Sequence, residues 1–202
     1  TDHFPGYARL IPSKWEAKPG AKQALASGQG HPDLMADARS ISHGASRGGT
    51  AIYWPQKEED GVASTVAVTQ WFEKTGEFWG VAGGFLWERE GRRTLSTGYF
   101  FRHWLDFLKR NTSLALIHGG ALPIHVRMGI NGLEDSWWPL GPFAFRDDGF
   151  AAVEPSYEFT ATLTSAEPGT LQQVAVDAFN GLAAVYGQEP YTFEEILEMA
   201  KR

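Results

Sequence analysis

The sequence predicts an α+β two-layer sandwich, and three observations carry that prediction. Leu122, Ile124, Val126, Met128 and Ile130 alternate with other residue types over 122–131, the period-two signature of a strand with one buried face. Residues 157–164 alternate likewise, with Phe159, Ala161 and Leu163 inward and Glu158, Thr160, Thr162 and Thr164 outward. Two longer stretches repeat at helical spacing instead: Phe101, Trp104, Leu105 and Leu108 in one; Leu171, Val174, Ala175, Ala178, Leu182 and Tyr186 in the other. Strands of this kind belong to a mainly antiparallel sheet with one wet face, and the two long helices would cover the other.

Residues 1–60 read as an irregular N-terminal extension packed on a main domain of residues 61–202. Pro5, Pro12, Pro19, Gly6, Gly20, Gly28 and Gly30 punctuate its first half. His31-Pro32-Asp33 would open a short helix to about Ile41. Residues 42–49 read as a flexible loop, and Thr50–Trp54 as a short strand stopped by Pro55.

Beyond residue 60 the predicted order is ββαββα. Ala63–Glu73 and Glu77–Glu88 form a hairpin turned at Lys74-Thr75-Gly76, where Gly takes a positive φ. Glu88–Arg93 is a charged turn. Ser96 or Thr97 caps the first long helix, which runs to about His118 and ends at Gly119-Gly120. Pro168 opens the second and Gly187 stops it. Thr192 caps a final short helix with Glu194 and Glu195 in its first turn, where the helix dipole favours acids.

Composition narrows the function classes. The 202 residues carry a net charge of −6, against a surface dominated by phosphate-neutralising Lys and Arg. The absence of cysteine excludes disulfides, thiolate catalysis and Cys-based metal centres, and a cytoplasmic address fits it. No run of about 18 apolar residues could span a membrane as a helix, so no membrane partner is expected. The six histidines show no metal-ligand spacing; neither a metal nor a cofactor is expected. Thr1-Asp2-His3-Phe4-Pro5 has no initiator Met and no apolar signal core, so the chain reads as a piece of something longer.

The candidate ligand site is the wet sheet face. His125 and Arg127 project there from one strand and Glu158 and Thr160 from another. Donors, acceptors and one titratable imidazole on such a face suit a small anionic or polar molecule; the plain alternative is an ordinary solvated face. Arg47, in the Gly-rich run Ser42–Thr50, is a further anion candidate if that loop cradles phosphate, and otherwise belongs to a plain connector. Trp137, Trp138, Phe143 and Phe145 would make a protein-binding patch if exposed, or a lid on the core if folded back. Arg89, Arg92, Arg93, Arg102, Lys109 and Arg110, near Trp87 and Tyr99, could touch nucleic acid by stacking and phosphate contact, or form a solvated charged face. Glu73, Glu77 and Glu88 read as solvated hairpin ends, and no catalytic residue is assigned.

Leu95–Gly187 resembles the C-terminal region of bacterial regulators whose N-terminal part is a Schlafen-type AlbA-like nucleic-acid-binding domain. A capped aromatic helix, the run Ala121–Leu133, and a strand and helix ending Val185-Tyr186-Gly187 carry the resemblance, under half of the chain. No AlbA-like segment is visible. The resemblance implies a sensor or partner-binding module of a larger regulator and transfers no catalytic residue. The leading expectation is thus a non-catalytic ligand-sensing or protein-interaction module of an intracellular regulator, with a small anionic molecule or a protein as partner. The alternatives are an enzyme acting on a small anionic substrate, with His125 as acid or base and Arg127 as anion clamp, and a nucleic-acid-binding accessory domain.

Overall fold

The alternation Gly6, Ala8, Leu10, Pro12 buried and Tyr7, Arg9, Ile11 half-buried makes the N-terminal Gly6–Trp15 a strand. This corrects the irregular reading of that segment. In chain order the elements are β1 (Gly6–Trp15), β2 (Ser42–Ser46), β3 (Gly49–Lys57), β4 (Ala63–Phe72), β5 (Phe78–Ala82), β6 (Leu86–Arg89), β7 (Arg92–Leu95), α1 (Thr97–His118), β8 (Gly120–Asn131), β9 (Ser136–Trp137), β10 (Ser156–Leu163), α2 (Pro168–Val185) and α3 (Phe193–Ala200). The structure, a computed structural model, describes residues 6–21, 23, 42–46, 48–57, 63–83, 85–89, 92–139 and 150–200. The short helix expected from His31 lies outside them.

Seven strands form one sheet in the order β10-β8-β1-β5-β4-β3-β2. Every neighbouring pair is antiparallel. The α+β class and the mainly antiparallel sheet therefore stand, and the hairpin β4–β5 shares its sheet with β8 and β10. β1 lies between β5 and β8, at the heart of the sheet. Its proline is tolerated because pairing with β5 ends at Leu10, while pairing with β8 shifts register between Pro12 and Lys14; a proline lacks the N–H a ladder needs and sits at such breaks. Pro55 behaves alike. It does not stop β3, which continues to Lys57 past a register shift between Trp54 and Pro55.

Two further expectations change. Ser42–Ser46 is not a loop but pairs antiparallel with Gly49–Tyr53 as the sheet's outer strand. The second arm of the β4–β5 hairpin ends at Ala82, and β6–β7 turns away into a small second sheet in which β7 pairs parallel with β9. The charged residues Glu88 and Arg93 thus face each other as strand partners rather than forming a turn.

The helices cover one sheet face. Phe100, Phe101, Trp104, Leu105, Leu108 and Ala115 of α1 are buried. Trp104 of α1 meets the Tyr157 ring of β10 at 6.5 Å, and Phe101 meets Phe179 of α2 at 5.6 Å. Both long helices therefore share the face of Ile124, Val126, Met128 and Ile130, all buried. Gly119 ends α1 at φ 124°, and Thr192 and Glu195 form a reciprocal cap at the start of α3. No helix among the described residues is long and apolar enough to cross a membrane.

Candidate functional site

The opposite sheet face carries the polar side chains. Strand register lines up Thr160, Arg127, Arg9, Trp79 and Gln70 across β10, β8, β1, β5 and β4 in one continuous row. A second row runs Glu158, Gly129, Tyr7, Val81 and Val68, and a third pairs Thr162, His125 and Ile11. Directly opposed residues on neighbouring strands have Cβ atoms about 5 Å apart. Arg127 and Arg9 are thus immediate neighbours, a juxtaposition of like charge that needs compensation.

Two glutamates supply it. Arg127 Nε lies 3.5 Å from Glu158 Oε1, and both side chains stay open to water at 50% and 43% exposure. The Tyr7 hydroxyl donates to the other oxygen, Glu158 Oε2, at 2.6 Å. Burial, then that hydrogen bond, pushes the Tyr7 hydroxyl up to about 12, so it remains a donor. The Tyr7 ring lies across Gly129, where any Cβ would run into it and would also come within 2.6 Å of the Tyr157 carbonyl oxygen. Gly129 is the gap that lets Tyr7 reach Glu158.

The second pair is built differently. Glu77 is buried, and its Oε1 accepts from both Arg9 Nε and Trp79 Nε1. The Arg9 guanidinium sits 5.0 Å over the Trp79 ring, a cation–π arrangement. Phe72 meets Trp79 edge-on at 6.3 Å, and Trp79 is still 41% exposed. His125 lies at the other end of the face, with Nδ1 3.2 Å from Thr162 Oγ1. The face therefore grades from rings at β4–β5, through two arginines, to acid and hydroxyl groups at β10.

No family model, curated protein or solved structure matches the chain.

His125, Arg127, Glu158 and Thr160 are brought together, all exposed on this one face. Arg47, Phe143 and Phe145 lie outside the described residues. Trp138 is corrected: at 3% exposure it belongs to the core, packed among Phe179, Tyr186 and Tyr191, because its ring area is worth more buried than wet. Trp137 is half-buried in β9, paired with Thr94 and bridged to Ala151. The Trp137-Trp138 end of that loop is a lid on the core. Part of the basic cluster also has structural employment, since Arg93 donates to the Glu134 carbonyl and Arg102 to that of Ala200 at the end of α3.

Sequence reading missed Tyr7, Arg9, Glu77 and Trp79. The signal for the first two was present: Tyr7, Arg9 and Ile11 alternate with Ala8 and Leu10. It also passed over Gly44-Ala45-Ser46-Arg47-Gly48, which has the Gly-x-Ser-x-Gly spacing of a nucleophile elbow. That motif works at a strand-to-helix turn, whereas Ser46 ends β2 and pairs with Gly49 across a β-hairpin. The hydroxyl pair Ser136 and Tyr186, 2.7 Å apart, is buried and ties β9 to the end of α2.

Proposed function

We propose that the chain is a non-catalytic binding module, part of a larger intracellular regulator, whose open sheet face takes a small anionic ligand at Arg9 and Arg127. The observation that carries the reading is the cross-strand register of the two arginines on a solvent-facing surface. Planar guanidinium forks match carboxylate and phosphate geometry, and two of them side by side favour an anion that bridges both. The sensor role is what the resemblance read in the sequence of residues 95–187 implies. An enzymatic role for His125 has less support. The partner of its Nδ1 is a threonine hydroxyl, not a carboxylate that would orient and polarise it.

Calorimetric titration of the protein with inorganic pyrophosphate and with citrate, at low and high ionic strength, tests the reading. Binding should occur and weaken with salt. Arg9→Ala and Arg127→Ala should each lose most of it. The double variant His125→Ala/Arg127→Ala should keep its Tm within a few degrees, since exposed pairs contribute little, yet lose affinity. Absence of binding to either anion, or wild-type affinity in both arginine variants, would refute the reading.

A further inference from the structure

Resting on that anion-binding reading, we infer that the ligand carries a planar ring as well as its anionic group, with the ring against Trp79 and the anion at Arg127. Arg127 and Trp79 stand in the same register row with β1 between them. Strand spacing puts their Cα atoms about 10 Å apart, within reach of the ring and anion of one nucleoside phosphate or aryl carboxylate. Trp79 is an unusual residue to leave 41% exposed, and among the described residues it is the largest exposed hydrophobic side chain.

Its orientation is also fixed. Glu77 takes the indole N–H, Phe72 abuts the ring edge-on, and the Arg9 guanidinium lies over it. A ring held on three sides loses little freedom when another ring stacks on its open area. Arg9 then serves both ends, touching the ring subsite through Trp79 and the anion subsite through its neighbour Arg127. The two glutamates limit the positive charge of the row. Glu77 and Glu158 each hold one arginine, so the face suits a small anion rather than a long polyanion.

The test compares matched probes on the same protein: adenosine 5′-monophosphate against inorganic phosphate and adenosine, and 2-naphthoate against acetate. At least one ring-bearing anion should bind about tenfold more tightly than its ringless partner, the size of one stacking contact. That ratio should collapse in Trp79→Leu and persist in Trp79→Phe, with circular dichroism confirming the fold of each variant. Preference for the nucleotide or for the naphthoate tells phosphate from carboxylate ligands. A ratio near one in the wild type, with inorganic anions still bound, overturns the ring subsite and leaves the anion site standing. No anion bound at all removes both. A single-stranded oligonucleotide bound far more tightly than the mononucleotide would also overturn the inference, in favour of a polymeric ligand.

Discussion

Arg9 on β1 and Arg127 on β8 stand directly opposite each other, and each is held by a glutamate on its far side. Like charges at opposed strand positions destabilise a sheet. The flanking Glu77 and Glu158 offset that repulsion, but in different surroundings, one buried and one wet. The difference in burial makes the two pairs unequal in stability and open to comparison.

Glu77→Ala should lower unfolding free energy by roughly 1–3 kcal/mol, because it strands Arg9 Nε and Trp79 Nε1 without their acceptor. Glu158→Ala should stay within about 1 kcal/mol, as expected for an exposed ion pair. Urea denaturation of the two variants measures the contrast. Equal losses would show that burial does not separate the pairs.

Gly129→Val should destabilise by roughly 1–3 kcal/mol, the usual range for overpacking. The new side chain collides with Tyr7 on one strand and with the Tyr157 carbonyl on another, so relaxation on one side does not relieve both. Tyr7→Ala in the same background should restore only part of the loss. Its complete restoration would place all the strain on Tyr7.

Trp104→Ala should cost roughly 3–5 kcal/mol, the range for large aromatic truncations in cores. The ring is 1% exposed and packs on Phe100 at 3.8 Å between centroids. A chemical-denaturation midpoint that did not move would contradict its place at the helix–sheet interface.

Alkaline pH should unfold the protein as its half-buried tyrosines ionise. Burial pushes the Tyr7, Tyr99 and Tyr157 hydroxyls from 10.0 up to about 12; the Glu158 hydrogen bond adds to the shift at Tyr7 and the Asp177 charge at Tyr157. Folding therefore favours the protonated phenols. Their stabilising contribution is complete below pH 10, the unfolded value, and is lost as pH rises through about 12. Tyrosinate absorbance and far-UV circular dichroism, followed together, should show late-titrating tyrosines appearing with unfolding. Glu158→Gln should lower the Tyr7 midpoint without returning it to 10.0, since burial is the larger cause. All tyrosines ionising near pH 10 in a still-folded protein would contradict this.

Local periodicity alone determined a good deal of this protein. The alternation of β8 and β10 put His125, Arg127, Glu158 and Thr160 on the wet face, and helical spacing marked α1 and α2 with their buried sides, because a residue's face follows from the repeat of its own element. Which strands are neighbours is another matter. Backbone N–H and C=O groups pair alike whatever side chains they carry, so nothing local announces that β1 lies between β5 and β8. That placement, decided only by the tertiary structure, brings Arg9 beside Arg127, lays Tyr7 over Gly129 to reach Glu158, and turns Glu77 from a hairpin end into the buried acceptor of Arg9 and Trp79. The proline in β1 concealed the strand because proline reads as a breaker, yet it sits where the ladder to β5 has already ended. Trp138 shows the same limit from the other side: whether a ring beside a proline-rich loop faces water or the core depends on what stands opposite, and here Phe179, Tyr186 and Tyr191 do.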